Sequence, residues 1–70
     1  MNWIDTPESS TIVRFAFDSD NHVLTVEFKH GATYNYFDVP EVVFEAMKSA
    51  SSRGRYLVQS VKGTYRYARA

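Results

Sequence analysis

Polar and apolar residues alternate at a period of two in three short stretches of the first half of the chain. The stretches are residues 11–18, 23–29 and 32–37. Alternation of this kind predicts β-strands with one buried and one wetter face. The residues between them favour tight turns, because the segment 18–22 is rich in Asp, Ser and Asn and Gly31 tolerates a positive φ. Three strands joined by such short turns predict an antiparallel meander.

The alternation also predicts which residues of each strand share a face. One face of the second strand is apolar, and the two tyrosines of the third strand share one face of that strand. The expected faces are Thr11, Val13, Phe15 and Phe17 in the first strand, Leu24, Val26 and Phe28 in the second, and Tyr34 and Tyr36 in the third.

A helix is predicted over residues 41–50. Asp38 is the expected N-cap, Glu41 stands three residues later as in a capping box, and Pro40 suits a helix start. One side of this helix carries apolar residues at helical spacing. They are Val43, Ala46, Met47 and Ala50.

A second helix is predicted over residues 53–62, after a serine-rich interruption. Residues 64–67 alternate polar and aromatic side chains and are a candidate for a short last strand. The expected markers of the second helix are Ser51 or Ser52 as N-cap, Leu57 and Val61 as an apolar i, i+4 pair, and Gly63 just past the end.

Strands followed by helices predict an α+β domain, in which two helices pack on one face of a three-stranded meander. Pro7 and the serine pair at 9–10 argue against regular structure at the start. Residues 1–8 are therefore expected to be an irregular lead-in, and residues 9–70 a single domain. The chain has no cysteine, so its stability depends on its aromatic-rich core.

Charge is unevenly distributed along the chain, although the formal net charge is zero. Residues 1–45 hold all eight acidic residues and two cations, while residues 46–70 hold six cations and no acid. This asymmetry marks either a basic surface for an anionic partner or two halves that neutralise each other on packing. Both interpretations stay open.

The chain lacks the side-chain combinations that catalysis or metal binding requires. His22 and His30 stand at opposite ends of the second predicted strand, roughly 25 Å apart at the rise of an extended chain. There is no cysteine nucleophile, and three glycines are too few for a phosphate-binding loop. We expect no enzymatic activity, no metal and no cofactor.

Hydropathy gives no indication of a membrane. No apolar run approaches the roughly 18–20 residues that span a bilayer, and the first residues lack the pattern of a secretory signal. The expected location is the cytoplasm, with no membrane partner.

The last third of the chain interleaves cations with aromatic rings. Surfaces that bind single-stranded nucleic acid use cations for phosphates and rings for bases. The alternative is a solvated polar face with Tyr56 and Tyr65 packed inside, and the near-neutral pI favours that alternative. The candidate nucleic-acid or phosphate-binding residues are Arg53, Arg55, Lys62, Tyr65, Arg66, Tyr67 and Arg69.

A more local hypothesis concerns the start of the second helix. Free N–H groups and the helix dipole at residues 52–55 favour an anion, which Arg53 and Arg55 would hold as well. The alternative is that Gly54 and Gly63 serve only the geometry of the helix ends.

Tyr34 and Tyr36 also allow two interpretations. As exposed neighbours on one strand face they would form a stacking platform for bases. If the helices cover that face, the two tyrosines belong to the core with their hydroxyls at its edge. We favour the core interpretation, because the helices should cover the most apolar face.

A longer ordered set of residues resembles a known family. The set is Leu24-x-Val26-x-Phe28-x-x-Gly31-x-x-Tyr34-x-Tyr36-x-x-Val39-Pro40, followed by Phe44, Ala50, Ser51, Gly54, Tyr56, Val61, Gly63 and Tyr65. It covers about residues 9–67 and is similar to the KTSC domain, which is named for its place at the C-terminus of some lysyl-tRNA synthetases and also exists as a stand-alone bacterial protein.

The resemblance implies one compact KTSC-like domain over residues 9–70. Tyr34, Tyr36, Pro40 and Tyr56 are its family-motif residues and are expected in the core. The synthetase context suggests RNA binding, although this chain carries no synthetase body. The candidate partners are RNA or another nucleic acid or, as a second hypothesis, a host protein that docks on a sheet edge or on Trp3-Ile4.

Overall fold

A computed structural model describes residues 2–70, and Met1 lies outside the described residues. These residues form five strands and two helices. They are β1 (Ile4–Asp5), β2 (Ile12–Asp18), β3 (Val23–Phe28), β4 (Thr33–Tyr36), α1 (Glu41–Ser49), α2 (Arg53–Tyr56), which continues directly into a π-helical turn (Leu57–Val61), and β5 (Tyr67–Arg69).

The strands form one antiparallel sheet whose spatial order is the chain order, β1-β2-β3-β4-β5. The α+β class is confirmed, but the prediction of three strands before the helices was wrong, because four precede them. The additional strand, β1, lies in the lead-in that was expected to be irregular. It has two residues and pairs Ile4 with Phe15, so it is too short to show any periodicity.

An irregularity in β2 changes the predicted face of that strand. Ile12 pairs with Phe28 and Arg14 with Glu27, so one extra residue, Val13, is accommodated between them. A β-bulge of this kind shifts the alternation by one residue. Ile12 therefore joins Phe15 in the core, where the uninterrupted pattern had placed Val13.

The core lies between one face of the sheet and the two helices. β3 contributes its apolar face as predicted, and the second helix contributes its expected i, i+4 pair. The buried cluster comprises Ile12, Phe15, Leu24, Val26, Phe28, Tyr36, Val39, Met47, Leu57 and Val61.

The start of α1 differs from the prediction. Pro40 is the N-cap with no side-chain hydrogen bond, and Asp38 adopts a left-handed φ of 58° two residues earlier. Asp38 therefore turns the chain instead of capping the helix. The apolar side of α1 also differs, since Met47 is buried and Phe44 stacks on Phe17 at 5.0 Å, while Ala46 is exposed.

The second helix begins as predicted, with the Ser52 hydroxyl accepting the Arg55 N–H at 3.3 Å. Its second half is π-helical, and the Lys62 N–H donates to the Leu57 carbonyl at 2.8 Å. Gly63 then takes a φ of 85°, as a residue past a helix end does. Neither helix in residues 2–70 has the length and apolar character needed to cross a bilayer.

Candidate nucleic-acid interface

A cavity of about 540 Å³ lies between the helix-facing side of β3, β4 and β5 and the end of the π-helical turn. It is open on one side, because Val58 and Tyr67 on its wall are 53% and 59% exposed. Aromatic rings dominate the lining, and no acidic residue takes part. The lining residues are Thr11, Phe28, His30, Tyr34, Tyr36, Val58, Lys62, Gly63 and Tyr67, and we call this space the tyrosine cavity.

Strand register assembles the tyrosines of the cavity. Tyr36 on β4 pairs with Tyr67 on β5, and Tyr34 pairs with Arg69, so all four side chains leave the sheet on the helix-facing side. The Tyr34 and Tyr67 rings meet edge to face at 5.6 Å, and the Tyr36 and Tyr67 rings lie 5.9 Å apart. Packing between rings thus fixes the wall of the cavity.

A second aromatic pair extends this wall towards the β3–β4 hairpin. His30 stacks on Phe28 at 5.4 Å with an interplanar angle of 9°, and Phe28 meets Tyr34 edge to face at 5.6 Å. The sequence pattern predicted Phe28 in the core and His30 in a turn. It did not predict that both residues line a cavity. The symmetric spacing of Phe28 and Tyr34 around Gly31 was the available signal.

Tyr36 is the most deeply placed side chain of the cavity and is only 2% exposed. No group in residues 2–70 hydrogen-bonds its hydroxyl. Every fully shielded polar side-chain atom in that range has a partner, so this hydroxyl must keep access to the cavity. Burial, followed by the charges that Tyr34 and Tyr67 would carry, raises the pKa of Tyr36 above its usual 10.0. The phenol is therefore protonated at neutral pH and offers a hydrogen-bond donor.

Two cations stand at the rim of the tyrosine cavity. Lys62 follows the π-helical turn and lines the cavity directly while remaining exposed. Arg69 is exposed on β5, on the same sheet side as its register partner Tyr34. Rings with adjacent cations and no acid favour an anionic ligand over a cationic one.

A smaller cavity of about 290 Å³ lies beside the first, and Thr11 lines both. Its remaining lining is polar, and it includes the predicted anion site at the start of α2. The lining residues are Glu8, Ser9, Ser10, Thr11, Ser51, Ser52, Arg53, Gly54 and Arg55.

The two arginines of this smaller cavity differ in their contacts. Arg53 Nη1 lies 3.2 Å from Glu8 Oε2, and its Nη2 and Nε donate to the Lys48 carbonyl at 3.3 and 3.4 Å. Arg53 therefore ties α2 to α1 and to the N-terminal segment. Arg55 is exposed, while its backbone N–H is already bonded to Ser52. The helix start at Ser52 thus has one of its N–H groups satisfied internally.

The remaining predicted site residues lie away from both cavities. Tyr65 and Tyr56 are partly buried against the core. Arg66 stands over the Phe37 ring at 5.5 Å and reaches Asp38 at 3.5 Å. Pro40 was expected in the core but is exposed, because it is the residue that starts α1.

The structure therefore divides the predicted binding residues into three groups. Tyr67 and Lys62 line the tyrosine cavity, Arg69 lies next to it as the register partner of Tyr34, and Arg53 and Arg55 line the smaller cavity. Tyr65 and Arg66 take part in neither. Tyr36 is buried as the core interpretation expected, while Tyr34 is partly buried and both line the cavity. Within residues 2–70, no three His, Cys, Asp or Glu side chains lie close enough together to hold a metal ion.

Comparison with known proteins gives relatives of two kinds. Lysine–tRNA ligases of Trichormus variabilis and Nostoc punctiforme are 39% and 36% identical over 61 residues, which are 87% of this chain but 11% of each ligase. The chain thus corresponds to a small part of those enzymes. A protein of Stutzerimonas stutzeri is 40% identical over 63 residues, and the match covers 89% of both chains.

The fold is also similar to that of a solved structure. The crystal structure of a KTSC domain protein from Yersinia pestis superposes with a TM-score of 0.90 at 31% identity, covering 99% of this chain and 96% of that one. The profile of the KTSC domain matches residues 8–65. This chain therefore belongs to the KTSC domain family, as the ordered tyrosines, glycines and Val39-Pro40 had indicated.

Proposed function

We propose that this domain is a non-catalytic module that binds single-stranded RNA at the rim of the tyrosine cavity. The observation that carries the proposal is the placement of Lys62 and Arg69 beside an aromatic cavity without any acidic lining residue. Cations contact phosphates and rings contact bases on surfaces that bind single strands. The smaller cavity, with Arg55 exposed and Thr11 shared, extends this surface for a further phosphate.

The relatives support RNA as the nucleic acid. Lysine–tRNA ligases act on tRNA, and a segment of two of them is 36–39% identical to this chain. In those enzymes the domain is joined to a protein that already binds RNA. RNA is therefore the first ligand to test.

The experiment is a titration of the ¹⁵N-labelled domain with a short mixed-sequence RNA at low and moderate salt. Backbone shifts should cluster at residues 62–69 and at Gly31, and they should weaken as salt rises. Each single-strand phosphate contact adds about 0.7 to the slope of log affinity against log salt. Lys62→Ala and Arg69→Ala should each lower affinity and reduce that slope by about one contact.

Lys48→Ala is the matched control, because Lys48 is also a cation but is only partly exposed, lies on α1 and pairs with Glu45 at 3.1 Å. This variant should bind RNA as the parent does. Absence of binding at low salt would reject the proposal.

Protein binding is the second candidate function. Trp3 is 37% exposed and stacks against Arg14 on the sheet face that no helix covers. Ile4, its neighbour in the predicted anchor, is partly buried and packs against the core. A protein ligand would perturb the Trp3 amide and indole signals and leave residues 62–69 unchanged, which separates the two candidates in one spectrum.

A further inference from the structure

We propose that the tyrosine cavity is a pocket for one unpaired RNA base. The inference rests on the proposed function and specifies what the cavity does within it. A volume of about 540 Å³ falls in the range of about 300–1,000 Å³ typical of small-ligand sites. The cavity is therefore large enough to enclose a base and part of its ribose, while a flat surface would only support stacking.

The Tyr36 hydroxyl indicates what kind of ligand fits. It belongs to a residue that is only 2% exposed, and it keeps access to the cavity, because no fully shielded side-chain polar atom in residues 2–70 lacks a partner. A ligand that displaces water from this hydroxyl therefore loses free energy unless it brings an acceptor of its own. The edges of all bases carry carbonyl or ring-nitrogen acceptors. A Phe or Trp side chain would cover the rings but bring no side-chain acceptor for this donor.

The rings provide the faces that hold a base. Tyr67 is 59% exposed and lines the cavity, so its ring is accessible to a ligand there. Stacking on such a ring requires a planar π-system that has left its own stack. A duplex cannot supply one without unpairing, so the cavity selects single strands.

The rim places one cation on each side of the base. Lys62 stands on the helix side of the cavity and Arg69 on the strand side. A base that enters between them leaves its two flanking phosphates near one cation each. The cavity thus contributes to the binding of the base and the rim cations to the binding of the phosphates, and the two contributions can be measured separately.

The test uses three RNAs: an intact single strand, the same strand with an abasic central nucleotide, and the intact strand annealed to its complement. The strand is long enough for the duplex to be stable at the measuring temperature, and the two single strands carry the same number of phosphates. Affinities are measured by isothermal titration at low salt. The base pocket predicts that the intact single strand binds about fivefold or more tighter than the abasic strand, the low end of base–aromatic stacking. The duplex, although it carries more phosphates, should bind more weakly than the intact single strand.

Two variants examine the pocket itself. Tyr67→Ala should lose about tenfold in affinity for the intact strand and nothing for the abasic one, because Tyr67 is exposed and outside the buried core. Tyr36→Phe keeps the ring and removes the donor, so it should lose about three- to tenfold for the intact strand alone. Tyr65→Phe is the control, since Tyr65 packs on the core and does not line the cavity.

The outcomes separate the two proposals. Equal affinity for intact and abasic strands, with salt-dependent binding to both, would overturn the base pocket and leave RNA binding by the rim intact. An unchanged affinity in Tyr67→Ala would overturn it as well. No binding of any strand at low salt would overturn both proposals together.

Discussion

The hydroxyl oxygen of Ser9 lies 3.1 Å from the position that a Cβ atom on Gly54 would occupy. The same oxygen accepts the N–H groups of Thr11 and Ile12 at 3.1 and 3.0 Å. Ser9 is therefore held in place from the other side and cannot move away from an added methyl group. The buried Gly54 lets α2 approach the segment before β2 without an intervening side chain.

Gly54→Ala should lower the free energy of unfolding by about 1 kcal/mol, because the cost of overpacking exceeds the gain in helix propensity. Urea unfolding followed by circular dichroism measures the change. Gln59→Ala, at an exposed position of the π-helical turn, is the control and should stay within about 0.5 kcal/mol of the parent. A Gly54→Ala variant as stable as the parent would show that the Ser9 segment gives way.

The raised pKa of Tyr36 predicts how stability depends on pH. The folded protein keeps the Tyr36 proton to a higher pH than the unfolded chain does. Its contribution is therefore complete below pH of about 10 and is lost as pH rises through the folded pKa. The free energy of unfolding should fall less steeply above pH 10 in Tyr36→Phe than in the parent. Urea unfolding between pH 8 and pH 11 gives both slopes, and parallel slopes would contradict the prediction.

Arg53 and Arg55 should differ in stability although they are two residues apart. Arg53→Ala removes the contacts to Glu8 and to the Lys48 carbonyl, and it should cost about 1 kcal/mol. Arg55→Ala removes an exposed side chain and should change stability by less than about 0.5 kcal/mol. Thermal unfolding of both variants checks the difference. If the two variants melt together, Arg53 does not tie the helices to the N-terminal segment.

Arg14 should control the environment of Trp3, the single tryptophan of the chain. Its guanidinium lies 4.3 Å from the Trp3 ring centroid and donates to Glu27 at 2.8 Å. Arg14→Ala uncovers the indole, so Trp3 emission should shift to longer wavelength, with a loss of stability of about 1 kcal/mol or less.

Glu27→Gln is the companion variant, since it keeps an acceptor for Arg14 and should shift the Trp3 emission less. Identical spectra for the parent and Arg14→Ala would mean that the indole does not rest on Arg14 in solution.

Local patterns in the sequence predicted the middle of the fold well. Leu24, Val26 and Phe28 alternate without interruption, and Leu57 and Val61 are paired at helical spacing, so both elements follow from periodicity alone. Gly31 and Gly63 have the positive φ that their turn positions require. Elements of this kind are determined by residues that are close to one another in the sequence.

The errors occur where geometry depends on distant contacts or single backbone angles. The bulge at Val13 is fixed by pairing with β3 and leaves no signature in β2 itself. Asp38 and Glu41 have the sequence spacing of a capping box, but Asp38 has a left-handed φ and Pro40 is the N-cap, so the capping geometry is absent. The tyrosine cavity was missed for the same reason, since it depends on β5 joining β4 and bringing Tyr67 against Tyr34 and Tyr36.

The last strand has a consequence for motion. All three residues of β5 are exposed, it pairs with β4 alone, and none of its residues belongs to the buried cluster. Local opening costs least where few apolar contacts are lost, and the ring contacts that β5 gives up are those of Tyr67 with Tyr34 and Tyr36, so β5 should detach more often than the domain unfolds. Tyr67 leaves the cavity each time this happens. Two hydrogen bonds flank β5: the Phe37 N–H donates to the Arg66 carbonyl, and the Ala70 N–H donates to the Thr33 carbonyl. These two amides should accordingly exchange with solvent faster than those of β3. The wall of the cavity should thus open by a local movement of β5 that leaves the buried cluster folded.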